Sequence, residues 1–181
     1  MDQLNLHIRQ GHNITAIQSQ IHRLSPEQAL SVNRQQKTLV HELLVTRRMP
    51  FDVCKQLIRY FITEHFSKMG EKGRKVLSSR DDAGNTVIHY ACLNEGVDTQ
   101  FLNELIDACV EDIVNVGNNY DWTPLHTVSN HGNEELVKYL LKRGANKDAR
   151  NKFHKDAREV ARLNLKDHIV HIFDSMVTVV E

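Results

Sequence analysis

Between Asn118 and Ala145 the chain alternates turn residues with apolar positions at helical spacing. Thr123-Pro124 is a helix start. A threonine hydroxyl accepts from an otherwise unpaired first-turn amide, and proline's missing N–H costs least at the first helical position. Gly132-Asn133 allows a tight turn, and Leu136, Val137, Leu140 and Leu141 then fall at i, i+1, i+4 and i+5, one apolar stripe on an antiparallel second helix. Glu134 and Lys138 pair on the wet side, and Gly144 caps the C-terminus. The pattern predicts turn, helix, turn, helix.

The same unit recurs along the chain. Thr38-Leu39-Val40-His41, Thr86-Val87-Ile88-His89 and Thr123-Pro124-Leu125-His126 are three versions of one helix start. A fourth is worn, with Asp156 in place of threonine and Arg158 in place of the aliphatic, although aspartate can still cap. Thr38 to Thr86 is 48 positions, Thr86 to Thr123 is 37, and Thr123 to Asp156 is 33. The long first interval holds an outer helix with Phe51, Val53, Cys54, Leu57, Ile58, Phe61, Ile62 and Phe66 on its apolar stripe. The glycine- and lysine-containing stretch over residues 67–75 that follows it reads as a mobile loop. Phe101, Leu102, Leu105, Ile106 and Cys109 form the next outer helix, and Ile169, Val170, Ile172 and Phe173 form the last. At the N-terminus Leu4, Leu6 and Ile8 precede Gly11-His12-Asn13, and Ile14, Ile17, Ile21 and Leu24 follow. Two short helices about a Gly-His hinge are expected there, and then a capping box in Ser25-Pro26-Glu27-Gln28.

A Thr-Pro-Leu-His element in a helix-turn-helix unit of about 33 residues is the ankyrin signature, and the sequence resembles the ankyrin-repeat family. The resemblance implies an all-α ankyrin-repeat solenoid of helix-turn-helix units with β-turn or hairpin fingers, about four repeats plus an N-terminal helical cap. Residues 1–32 are expected to form the cap, 33–80 repeat one with its long outer helix and loop, and 81–117 repeat two. Repeat three is expected over 118–150 and a degenerate capping repeat over 151–181, all within one domain.

Composition narrows the function. Lys plus Arg and Asp plus Glu number 23 each, so the net charge is zero, which weighs against a generic binder of phosphate backbone. No apolar run reaches the roughly 18 residues of a membrane span, and no signal peptide is evident. Cys54, Cys92 and Cys109 sit inside apolar helical patterns and read as buried free thiols in a reducing compartment, the cytoplasm or the nucleus.

Eleven histidines invite a metal or an acid-base site. Val45 stands four positions after His41, where a zincin needs a second histidine. His168 and His171 lie one turn apart without a third ligand suggested nearby. There is no glycine-rich phosphate loop and no nucleophile elbow. The resemblance gives His41, His89 and His126 a structural role, bonding backbone between repeats. No catalytic residue, metal or cofactor is therefore expected. A histidine-based metal protein or enzyme is the alternative, separable by metal analysis.

What the family resemblance implies instead is a protein partner, bound on the concave face by variable residues flanking the signature. Over the four repeats those positions are Arg34, Gln35, Lys37, Val45 and Thr46; Asp82, Ala83, Asn85, Leu93 and Asn94; Asn119, Tyr120, Trp122, Asn130 and His131; and Lys152, Phe153, Lys155 and Asn164. Of these, Arg34, Lys37, Asp82, Asn85, Asn119, Tyr120, Trp122, Asn130, His131, Lys152, Phe153 and Lys155 are the candidate contacts. Tyr120, Trp122 and Phe153 fall on adjacent turn tips, where exposed aromatics make interface hot spots, unless Tyr120 and Phe153 merely pack on each other. The expected protein is a monomeric adaptor or competitive inhibitor that binds neither nucleic acid nor membrane. It is similar to the short inhibitor-of-NF-κB mimics of insect viruses and to bacterial ankyrin effectors.

Overall fold

Four turns of one geometry punctuate the chain, and each is closed by the side chain of its first residue. A computed structural model describes residues 14–29, 31–47, 49–110 and 112–177, so the expected first helix with Leu4, Leu6 and Ile8, and the hinge at Gly11, lie outside the described residues. The turns begin at Asn33, Asp81, Asn118 and Asn151. Each Oδ1 accepts the backbone N–H groups two and four positions later, at 2.8 to 3.2 Å. A short polar side chain thereby takes the donors that a tight turn leaves without backbone partners. Neighbouring turns are joined edge to edge: Asp82 N–H donates to Gln35 O (3.1 Å), Asn119 N–H to Ala83 O (3.0 Å) and Lys152 N–H to Tyr120 O (2.9 Å). The fingers are therefore a ladder one hydrogen bond wide, with no strand among the described residues.

Between the turns the chain is helical: α1 (Ile14–His22), α2 (Pro26–Ala29), α3 (Leu39–Val45), α4 (Phe51–Phe61), α5 (Glu71–Leu77), α6 (Val87–Cys92), α7 (Thr99–Ala108), α8 (Pro124–His131), α9 (Glu134–Lys142), α10 (Ala157–Leu163) and α11 (Asp167–Val177). The inner helices α3, α6, α8 and α10 stack in that order, and α4, α7, α9 and α11 pack behind them. Apolar faces meet in one continuous core that includes Leu39, Leu43, Leu57, Ile88, Leu102, Leu125, Val128, Leu136 and Ile169. The expected apolar stripe of α9 is present, with Leu136, Val137 and Leu140 buried and Leu141 half-buried. Gly144 closes that helix, where Ala145 N–H donates to Leu140 O at 2.9 Å and Gly144 N–H to Leu141 O at 3.1 Å. At the N-terminal end Ile17 and Ile21 are buried, and His65 Nε2 donates to Ile21 O at 2.8 Å, fixing α1 to the segment after α4. The capping box forms, with Ser25 N–H to Gln28 Oε1 at 2.9 Å and Gln28 N–H to Ser25 Oγ at 3.3 Å.

One expectation needs correction. Residues 67–75 are not a mobile loop. α4 runs into a π-helical turn (Ile62–Phe66) and a 3₁₀ turn (Ser67–Met69), breaks at Gly70 with φ 55°, and resumes as α5. Tertiary packing makes this helical: Phe66, Gly73 and Leu77 are buried, and a Cβ on Gly73 would lie 2.6 Å from the Phe66 carbonyl oxygen. The basic cluster there is largely committed, Lys68 to Glu64 (2.9 Å), Lys75 to Glu71 (2.7 Å) and Arg74 to the Cys109 carbonyl (2.6 and 2.9 Å). At the start of the fourth repeat the expected aspartate cap forms. Asp156 Oδ1 accepts Glu159 N–H at 2.8 Å and Glu159 Oε2 accepts Asp156 N–H at 3.0 Å, a complete reciprocal cap. Arg158 stands where an aliphatic would face a following repeat, and it pairs with Asp174 on α11 (Nε to Oδ1 2.7 Å).

Candidate functional site

The inner helices and the turns meet along one face, and there the sequence leaves its largest exposed apolar side chains. Tyr120 and Phe153 occupy the third position of successive turns and are 58% and 63% exposed. Their rings are nearly parallel, 13° apart in plane, with centroids separated by 6.5 Å. Trp122 behaves differently. Its Nε1 donates to Thr127 Oγ1 at 3.1 Å and its ring lies against His126, so it forms a half-buried wall and not an exposed tip.

Below the tips lies a groove of about 570 Å³ lined by Asn85, Leu93, Trp122, Asn130 and His131, with Tyr120 and Phe153 at its rim. Its lining includes no lysine, arginine, aspartate or glutamate. A second groove, of about 440 Å³, continues toward the first repeat between Met49, Phe51, Tyr90 and Leu93. Leu93, 48% exposed, is common to both and forms the ridge between them.

Six of the candidate contacts thus converge on one cavity: Asn85, Tyr120, Trp122, Asn130, His131 and Phe153. The others do not line it. Lys37 is held 5.0 Å above the Tyr90 ring, and Asn119 Nδ2 is turned back onto the Asp82 carbonyl at 2.9 Å. Asp82, Arg34 and Lys152 are exposed on the turns and Lys155 is half-buried. Asn118 and Thr127 line the groove without figuring among the candidates, and Met49, Phe51 and Tyr90 line its extension. Met49 and Phe51 escape a reading by repeat register because they belong to the long first interval.

The histidines beneath the groove are structural. In each of the first three repeats the imidazole Nδ1 accepts the threonine N–H at 3.1 to 3.2 Å and lies 2.8 to 2.9 Å from its Oγ1. Nδ1 is therefore unprotonated and the proton sits on Nε2, which His89 donates to Trp122 O (2.8 Å) and His126 to Lys155 O (3.0 Å). His41 Nε2 has no such bond. The corresponding Asn85 carbonyl is near enough to favour its charged form but not placed to accept. Burial dominates all three, lowering His41 and His89 from 6.5 to about 4 and His126 in the same direction. Burial also pushes the thiols up, Cys54 to about 11, Cys109 to about 12 and Cys92 further, so none of these free, buried cysteines supplies a thiolate near neutral pH. Among the described residues no three His, Cys, Asp or Glu side chains are grouped to hold a metal. Nor is any helix among them long and apolar enough to cross a membrane.

Comparison with known proteins agrees with this geometry. A family model described as ankyrin repeats, in three copies, matches residues 4–151. SMC5-SMC6 complex localization factor protein 1 of Bos taurus is 43% identical over 60 residues, which are 33% of this chain. The chain spans 5% of that relative's length.

Proposed function

The chain belongs to the ankyrin-repeat family, and from that premise we propose that it is a non-catalytic adaptor whose uncharged groove receives a segment of a protein partner. Ankyrin repeats are protein-interaction modules. The observation that carries the finer reading is the groove between Leu93 and Phe153, rimmed by two exposed aromatic rings on a turn ladder that is already formed. A preformed surface loses little conformational entropy on docking, and rigid aromatics at its rim supply apolar area with few rotatable bonds.

Tethering suits this chain better than competitive blocking. The bovine relative is named as a localization factor for a complex, and the resemblance to it, though confined to 60 residues, points toward placing a partner. Neither the fold nor that relative supports a viral-mimic or host-directed effector role. The adaptor is taken to act as a monomer in the cytoplasm or nucleus, without nucleic acid or membrane as its target.

Affinity purification from cell extract tests the reading. The full chain is compared with a Tyr120→Ala, Phe153→Ala double variant whose fold is checked by circular dichroism and denaturation. Both residues are exposed, so the variant is expected to keep its unfolding midpoint and to lose one or more proteins that the parent retains, with a binding loss of about 2 to 4 kcal/mol. Identical retained proteins would remove the groove from consideration.

A further inference from the structure

Two grooves lie side by side on the inner helices, and one leucine divides them. The first is bounded by Val45 of α3 and Tyr90 of α6, with Met49 and Phe51 beside them. The second is bounded by Thr127 and Asn130 of α8, with Trp122 as a wall and Tyr120 and Phe153 at the rim. Leu93, at the end of α6, lines both and is 48% exposed. The grooves are therefore the troughs that α6 makes with α3 on one side and with α8 on the other. Packed helices stand about 8–10 Å apart, so the two troughs repeat at about that distance.

That spacing selects a backbone. A polyproline II helix has three residues per turn at about 3.1 Å each, so side chains at i and i+3 share one face about 9.3 Å apart. A strand sets same-face side chains about 6.7 Å or about 13 Å apart, short of the second trough or beyond it. An α-helix spans the distance with i and i+7, about 10.5 Å, but puts i+3 and i+4 between them on the same face, where Leu93 stands. Charge and hydrogen bonding narrow the occupant further. The second groove is lined by no charged residue, and the first carries one of each sign, Arg47 and Glu95, both exposed. The complement to such a surface is a segment without charge. Asn85 Oδ1 accepts Asn118 Nδ2 at 2.9 Å and His131 Nδ1 donates to Thr127 O at 2.8 Å, so these groups are spent within the fold. Asn130 makes no side-chain hydrogen bond among the described residues, which leaves its amide to donate to one carbonyl of an occupant. A strand would need a row of such partners, whereas a polyproline II backbone has no internal bonds and stays solvated.

We infer that the segment received here is proline-rich and uncharged, lying across α6 in the polyproline II conformation with prolines three positions apart in the two grooves and Leu93 between them. The inference rests on the groove reading above and adds the segment's chemistry, conformation and spacing. Aromatic-lined grooves suit such segments because the bound backbone is already formed in the free peptide. Phe51 and Tyr90 wall the first groove, and Tyr120, Trp122 and Phe153 surround the second.

The test uses fluorescence anisotropy with the full chain and three labelled synthetic peptides of equal length. One carries proline at every third position between alanine and glutamine, one has the same residues with the prolines at every second position and then none, and one is an alanine-rich helix former with leucines at i, i+3 and i+7. The first is expected to bind about tenfold tighter than either of the others, and equally well as salt rises toward about 0.5 M. Leu93→Ala, which should leave the unfolding midpoint near that of the parent because the side chain is half exposed, is expected to erase most of the preference for the first spacing over the second. If the two proline peptides bind equally to the parent, and Tyr120→Ala with Phe153→Ala abolishes both, the spacing inference falls and the groove stands. If the leucine peptide binds tightest and is lost with the same aromatic variant, the occupant is an α-helix and the polyproline proposal is overturned. If no probe binds, the proposal falls, and the extract comparison described above decides the groove reading by itself. Binding that the aromatic variant leaves unchanged removes both, and an affinity that collapses with salt assigns the contact to charged residues outside the grooves and overturns the proposal.

Discussion

The junction between the first two repeats and the junctions that follow it are built by different means. From repeat two onward a buried imidazole donates to the backbone of the next turn, His89 to Trp122 O and His126 to Lys155 O. At the first junction His41 makes no such bond, and beyond the turn-to-turn rung that every junction shares the joining falls to side chains. The Tyr90 ring stands edge-on to His41 at 5.7 Å, Asn94 Nδ2 reaches Leu44 O at 3.1 Å, and on the outer helices Lys55 pairs with Asp98 and Arg59 with Glu104. A bond to a carbonyl is independent of which side chain the next repeat carries there. An ion pair depends on both sequences and on salt, and the first junction has two on its outer helices where the second has one, Arg143 with Asp107.

Three measurements bear on this contrast. The largest effect is expected from acid, which should not respect it. His41 and His89 are both depressed by burial from 6.5 to about 4, one without the carbonyl bond and one with it. Protonation is therefore linked to unfolding: the stability held by each neutral imidazole is complete above pH 6.5 and is lost as pH falls toward 4, roughly 3 kcal/mol for each. Urea midpoints at pH 7, 5.5 and 4 follow this loss, and a flat profile would mean that the imidazoles are not held neutral by burial.

The next effect should separate the junctions. His89→Ala removes a helix cap, leaves the buried Thr86 N–H without its acceptor and unpairs the Trp122 carbonyl, costing about 3 kcal/mol. His41→Ala loses the cap but no inter-repeat bond and should cost about 1 kcal/mol less. Equal shifts in denaturation midpoint would erase the distinction. The smallest effect is in the outer ion pair: Arg59 and Glu104 are 42% and 35% exposed at the side chain, and a double-mutant cycle is expected to give about 0.5 kcal/mol, fading at high salt.

Much of this architecture can be read from residue types because the repeat uses side chains to satisfy backbone. Thr123 with His126, Asp156 with Glu159 and the asparagines that open the turns bond locally, within four positions, and local bonds leave local patterns. What escaped was decided by distant contacts. Gly70 and Gly73 look like a loop, yet Gly73 is glycine because the Phe66 backbone passes against it. The tips Tyr120 and Phe153 follow from register alone. The groove between them does not, since its walls join Leu93 and Trp122 from different repeats.

The ladder of turns carries a further implication for how such a protein changes over generations. Its rungs are amide and carbonyl groups, which every residue type except proline supplies alike, so the letters displayed on the tips, apart from Asn119 with its side chain on the Asp82 carbonyl, take no part in holding the ladder together. Here those tips read Arg34-Gln35, Asp82-Ala83, Asn119-Tyr120 and Lys152-Phe153, four unrelated spellings on one frame. Recognition can be rewritten at these positions while the scaffold is inherited intact, and a lineage can acquire a new partner without first losing its fold.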